Sequence, residues 1–302
     1  MRVVTSGSAY LDIDAYACCI AYAELLNRQG VPACAASSAA PNFSLPATVL
    51  GWHARLDDHS PSPGDEFVLV DVSDYHHVDA RVVLDQVVEV LDHHPGFEQF
   101  WAQRLGPAAD IRPIGAAATL VFLRWEAAGL LSMISQASAA LLATAILDNT
   151  LNFTGQMTTA QDWRAYAVLA PLANLAADWP GVYFAECQTA IESDLAGALA
   201  ADTKRMAASS NLPQVFAQMT VWDAEGLVQR HQPAIVRWLA EQGETWVLNA
   251  ISIREGKSYL LAGGLASQAR LSRLLSMDWR DGMAVLEPSL QRKEIVTLGL
   301  GA

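Results

Sequence analysis

Residues 87–96 read VVEVLDHHPG: an apolar, β-branched run that ends on Asp92, His93 and His94 and breaks at Pro95 and Gly96. β-branched residues suit a pleated strand, and Pro-Gly stops one. The stretch 87–91 is therefore expected to be a strand that delivers one acid and two imidazoles at its carboxyl end. The pattern recurs upstream, where 67–70 (FVLV) runs into Asp71 and a short strand over 2–5 precedes YLDIDAY, with Asp12 and Asp14 at the head of a helical pattern over 12–27. Downstream, 111–114 reads as another strand, 115–128 as an Ala-rich helix, and 134–147 as an apolar helix running into Asp148. Strands alternating with helices imply βαβ units and a mostly parallel sheet. In such a sheet, groups just past the carboxyl ends of the strands converge on one crevice.

Further along, a helix is expected over 159–170, the segment 178–182 (DWPGV) breaks the pattern, and a helix over 185–208 carries the connection onward. Longer alternating strands over 214–221, 245–253 and 258–262 then enclose helices over 233–241 and 267–275. The fold expected is α/β: a mostly parallel sheet flanked by helices over 1–184, with a smaller α+β mixed-sheet domain over 191–302. A length of 302 residues suits two domains.

With 52% apolar and 17% charged residues, the chain has the composition of a packed globule. Its 32 acidic residues against 19 Lys and Arg leave a net charge of −13, which argues against binding duplex nucleic acid or an anionic membrane. The lysines are only Lys204, Lys257 and Lys293. The four cysteines (Cys18, Cys19, Cys34, Cys187) show no CxxC spacing and are expected to be free core thiols in a reducing cytoplasm. No signal peptide is evident, and no apolar stretch reaches the ~18 residues of a membrane span. The expected location is the cytoplasm.

Five carboxylates (Asp12, Asp14, Asp71, Asp92, Asp148) and two imidazoles gathered in one crevice would repel one another and raise the carboxyl pKa values. One or two cations would resolve that repulsion, and mixed oxygen and imidazole donors suit Mn²⁺ better than Ca²⁺. Taken singly, each residue has a plainer reading: an Asp after a strand as a helix N-cap, a His pair as a surface pair. It is their coincidence in one domain that favours a metal site.

The ordered set (Asp12 and Asp14 as a DxD, Asp71 after a strand, Asp92-His93-His94, then Asp148 in ILDNTLNF) resembles the four motifs of the DHH phosphoesterase superfamily. The helix after DHH (IRPIGAAATLVFLRW) is similar too. In the second domain, AADTKRM with Lys204 and PSLQRKEIV with Arg292 and Lys293 resemble the phosphate-binding positions of the subgroup of manganese-dependent pyrophosphatases, exopolyphosphatases and prune-like phosphoesterases. LLAGGLASQA lacks the histidine of the GGGH motif found in the nuclease and cyclic-dinucleotide phosphodiesterase branch.

The resemblance implies two Mn²⁺ per chain, with Mg²⁺ or Co²⁺ as alternatives, and a water activated between the metals. Asp12 and Asp71 would serve the first metal; Asp14, Asp71, His93 and Asp148 the second. His94 would lie at the phosphate, with Asp92 holding the histidine pair. Lys204, Arg292 and Lys293 would neutralise phosphoryl charge in a small anionic substrate, and the protein could be a homodimer. Two departures bear on the first metal. Ser8 stands where the pyrophosphatases carry a ligand histidine, and Val72-Ser73 follows Asp71 where His-Asn is common. His76 or His77 is a candidate substitute, the alternative being a solvated loop pair. The expected activity is metal-dependent hydrolysis of a phosphoanhydride. A phosphodiesterase acting on short oligonucleotides or cyclic dinucleotides, or a catalytically weak metal- or nucleotide-binding pseudo-enzyme acting through a partner, is the competing reading.

Overall fold

The apolar runs over 2–5, 67–70 and 87–91 become strands where the pattern places them. In a computed structural model describing residues 1–52, 56–207 and 211–300, the chain divides into two compact units, Met1–Pro180 and Gly181–Ala302. The side chains of residues 293 and 300 also lie outside the described set.

The first unit contains β1 (Arg2–Thr5), α1 (Ile13–Arg28), β2 (Ala33–Ala35), α2 (Ala47–Trp52), β3 (Glu66–Val70), β4 (Val87–Asp92), α3 (Glu98–Leu105), β5 (Ala109–Ile111), α4 (Ala117–Ala127), α5 (Gln136–Asn149) and α6 (Ala160–Leu172). The five strands form one parallel sheet in the order β2-β1-β3-β4-β5. The order reverses direction between β1 and β3, the position where open α/β sheets form their ligand crevice. Four consecutive residues of β3, Phe67 to Val70, are buried, as befits a strand covered on both faces. Helices α1 and α5 are apolar around most of their circumference, with Ile13–Ala23 and Ser138–Leu147 buried throughout, and they pack against each other. Trp101 of α3 is fully buried and donates from Nε1 to the Ser73 carbonyl at 2.7 Å, pinning the loop after β3.

The second unit begins within α7 (Trp179–Ser193) and continues with α8 (Leu195–Ala201), β6 (Thr203–Arg205), β7 (Val215–Val221), α9 (Ala224–Gln242), β8 (Trp246–Ser252), β9 (Lys257–Ala262), α10 (Gly264–Leu275), β10 (Met283–Leu286) and α11 (Arg292–Leu300). Its sheet has the order β10-β9-β8-β7-β6, with β7 and β8 parallel and the other pairs antiparallel. This is the mixed sheet expected.

Several local expectations need correcting. The strand expected over 111–114 lies earlier, at Ala109–Ile111, because its pairing partner β4 ends opposite Ile111 at Asp92. Pro180 opens a helix rather than breaking one, since proline is tolerated in a first turn where no amide partner is needed. The single helix expected over 185–208 is interrupted at Asp194, whose side chain caps α8, and its tail becomes the edge strand β6. Residue 208 of that expectation lies outside the described residues. The four cysteines are free and buried, and no helix among the described residues is long and apolar enough to cross a membrane.

Candidate metal centre

Three neighbouring strands deliver the acidic motifs. Asp71 follows β3, Asp92 ends β4, and the turn after β1 leads to Asp12 and Asp14. Asp12 is the N-cap of α1, its Oδ1 accepting from the Ala15 amide at 2.9 Å. The capping reading and the motif reading thus apply to the same residue. Asp71 adopts a left-handed backbone (φ 56°) while its amide donates to the Leu91 carbonyl of β4 at 2.8 Å. Asp tolerates that conformation better than most residues, and such outliers concentrate at functional sites.

The groups meet at His93. Its Nε2 lies 3.3 Å from Asp71 Oδ1 and 4.0 Å from Asp14 Oδ2. Asp71, His93 and His94 each present a donor atom, all within 4.8 Å of one another. The His93 Nδ1 faces the Ile114 carbonyl at 3.0 Å; a carbonyl only accepts, so Nδ1 carries the proton and Nε2 keeps its lone pair. His93 Nε2 and Asp71 Oδ1 are buried, and neither has a hydrogen-bond partner among the described residues. Two adjacent buried acceptors without donors are costly by themselves and are what a bound cation would satisfy. The residues present therefore fit a divalent metal.

Second-sphere bonds orient these donors. Asp92, fully buried, gathers the His93 amide (2.7 Å), the His94 amide (3.2 Å) and the His94 Nδ1 (2.9 Å) on Oδ1. Asp14, also fully buried, accepts from the Ala117 and Ala118 amides at the start of α4, each at 2.8 Å, and from Cys18 Sγ at 3.5 Å. Sequence reasoning did not assign Ile114, Ala117, Ala118 or Cys18. The signal for the amides was there, since the first amides of any helix lack internal partners and suit an anion.

The electrostatics follow from burial. Desolvation pushes the Asp14 carboxyl up to about 6, with the charge of His93 opposing and that of Asp12 reinforcing. Desolvation raises Asp71 strongly, helped by Asp14 and Asp12, and it raises Asp12 as well. Burial alone would lower the His93 pKa, but Asp71 and Asp14 carry it to about 10. The hydrogen bond that His94 donates to Asp92 raises the pKa of this mostly exposed ring. A divalent cation held by Asp71 Oδ1 and His93 Nε2 would take the place of the proton that these carboxylates favour on Nε2.

The remaining expected residues lie as follows. Asp148 stands in the last turn of α5, partly buried and with an interaction partner of its own. The Ser8 hydroxyl donates to the His77 carbonyl at 3.2 Å. His77 itself is exposed and bonds Asp74 at 2.8 Å, and His76 packs on the Tyr75 ring at 4.1 Å, so the loop pair has the geometry of the solvated alternative. In the second unit, Lys204 is exposed on β6. Arg292 is buried, ion-paired to Asp202 and bonded to the Asp202 and Phe216 carbonyls. The Lys293 side chain falls outside the described residues.

No model of a known protein family matches the chain. A protein of Deinococcus radiodurans named as a probable manganese-dependent inorganic pyrophosphatase is 32% identical over 174 residues, 54% of this chain and 52% of that protein, so the matched region spans about half its length. A Bacillus licheniformis protein of the same name is 24% identical over 301 residues, covering 97% of this chain and 96% of the relative. Among solved structures, a Methanococcus jannaschii protein assigned to the family II inorganic pyrophosphatases superposes with a TM-score of 0.65 at 19% identity, over 99% of this chain and 98% of that one. An exopolyphosphatase-related protein from Bacteroides fragilis gives 0.53 at 16% identity, over 98% and 89%. Motif order, fold and relatives all resemble those of DHH phosphoesterases. The two-domain fold matches that of the family II pyrophosphatase structure.

Proposed function

We propose that the chain is a manganese-dependent hydrolase of phosphoanhydride bonds in pyrophosphate or a short polyphosphate. The observation that carries this reading is the pair of buried, unpartnered acceptors, Asp71 Oδ1 and His93 Nε2, 3.3 Å apart in the switch-point crevice. Asp12 and Asp71 would hold one metal, and Asp14, Asp71, His93 and Asp148 the other. Bound divalent ions supply a Lewis acid and a water of lowered pKa.

The chain's own residues do the rest. Ile114 fixes the His93 tautomer, and the α4 amides fix the Asp14 carboxylate. Asp92 holds His94 with Nδ1 occupied, leaving Nε2 to donate to a phosphoryl oxygen or leaving group when the ring is protonated. Lys204, Arg292 and Lys293 are the proposed phosphate contacts of the second unit, although Arg292 also serves Asp202. Cytoplasmic action, a homodimeric state and indifference to duplex nucleic acid belong to the same proposal; the free buried thiols support the first.

The test is phosphate release from pyrophosphate, tripolyphosphate and a linear dinucleotide, with Mn²⁺, Mg²⁺ or Co²⁺ and after chelation. Metal-dependent turnover of pyrophosphate or tripolyphosphate is expected. Turnover of the dinucleotide alone, or of nothing by a chain that binds fewer than two metals, would overturn the proposal.

A further inference from the structure

The candidate centre hangs on a short stretch that contributes no ligand. Residues 114–119 give the Ile114 carbonyl to His93 Nδ1 and the Ala117 and Ala118 amides to the two oxygens of Asp14. That stretch is itself held by Asp162, far along the chain in the first turn of α6 and fully buried. Asp162 Oδ2 accepts from the Gly115 amide at 3.1 Å, and its Oδ1 accepts from the Thr119 hydroxyl at 2.5 Å.

The plain role of Asp162 is local. With Thr159 it forms the capping box of α6, accepting from the Thr159 amide at 2.7 Å and hydroxyl at 2.8 Å. A capping box is complete with the Thr159 amide bond and its reciprocal, the Asp162 amide donating to Thr159 Oγ1 at 3.4 Å. The bonds to Gly115 and Thr119 are additional, and they grip both sides of the turn that opens α4.

A second contact extends the grip. A Cβ placed on Gly115 would lie 2.7 Å from Asp162 Oδ2 and 2.7 Å from Thr150 Cγ2. Gly115 is therefore clasped between Asp162 and Thr150, the C-cap of α5, two residues beyond Asp148. Only a residue without a side chain allows this approach.

The geometry points to Asp162 as a positioning residue for the second metal. Through residues 114–119 it sets Asp14 and His93, and through the Gly115–Thr150 contact it ties them to the end of α5 that carries Asp148. This inference rests on the metal assignment proposed above. Outer partners of metal ligands matter because they fix ligand orientation, and their loss typically costs about 10–100-fold in metal affinity.

Asp162→Asn would set an amide against amide donors and could fail to fold, so Thr119 is the better handle. Mn²⁺ titration of metal-free protein, by calorimetry and by the EPR signal of free Mn²⁺, is compared for wild type, Thr119→Val and Thr119→Ser, alongside thermal unfolding without metal. Wild type is expected to bind two ions. Thr119→Val should weaken one of them by about tenfold or more while leaving the other unchanged, and Thr119→Ser should restore it. Gly115→Ala should reproduce the valine result. Two unchanged sites in Thr119→Val, no rescue by serine, or equal weakening of both sites in step with a fall in metal-free Tm would overturn the inference. Wild-type protein that takes up no Mn²⁺ would instead overturn the metal assignment, a result visible before any variant is compared.

Discussion

Asp92 offers the sharpest test of how the histidine pair is held. Three donors converge on its Oδ1: the His93 amide at 2.7 Å, the His94 amide at 3.2 Å and the His94 Nδ1 at 2.9 Å. Asp92→Ala removes the acceptor from all three. An orphaned buried donor costs about 1–3 kcal/mol, while donors that reach water cost less. Because His94 is largely exposed, the full penalty falls on the His93 amide, and the whole change should cost about 2–4 kcal/mol. For a unit of 150–250 residues that corresponds to a Tm lower by roughly 5–15 °C. Asp92→Asn keeps an oxygen acceptor and loses only the charge assistance, about 1–2 kcal/mol. The asparagine variant should therefore fold nearly as well as wild type, yet lose about tenfold or more in metal-dependent turnover, because His94 is less firmly fixed. Thermal unfolding and initial rates on pyrophosphate would measure both. Equal Tm for the alanine variant and wild type, or wild-type turnover in the asparagine variant, would refute the reasoning.

Two other outcomes are expected. Burial works to raise the Glu192 carboxyl, but bonds from Arg230, Gln188 and His231 hold it down at about 2. A depressed folded pKa stabilises above the ordinary value of 4.5 and is lost as pH falls toward about 2. Since Arg230 is half exposed, the gain at neutral pH should be below about 1 kcal/mol. The Tm gap between wild type and Glu192→Gln should narrow over that acid range, and a gap independent of pH would contradict the assignment. For Ser8→His, an imidazole at this exposed position should lower the Mn²⁺ concentration giving half-maximal activity severalfold; an unchanged or higher requirement would show that Ser8 does not limit metal binding.

The legible part of the site lay where chemistry follows a local pattern. Asp71 and Asp92 terminate apolar runs, Asp12 and Asp14 open a helix, and a parallel sheet gathers strand ends whatever the intervening loops contain. The illegible part lay in contacts between distant segments. Asp162 looked like any residue in the first turn of a helix, because Thr159 and Asp162 have capping-box spacing. That it also holds Gly115 follows only once α6 is packed beside α4 and α5. Edge strands β2 and β6, three residues each, were missed because so short a run has no readable period. Pro180 was misread because the same residue that stops a helix interior suits a helix start.

The sequence by itself therefore determined the class of fold, the order of the motifs and the chemical type of the centre, since period-two and period-3.6 patterns and side-chain chemistry are local properties. Tertiary structure alone decided which nitrogen of His93 faces a carbonyl, which donors hold Asp14, and that Arg292 is ion-paired to Asp202. These depend on distances between residues up to 104 apart in the chain. Such distances are set by packing of apolar faces, which many sequences satisfy equally and no local pattern records.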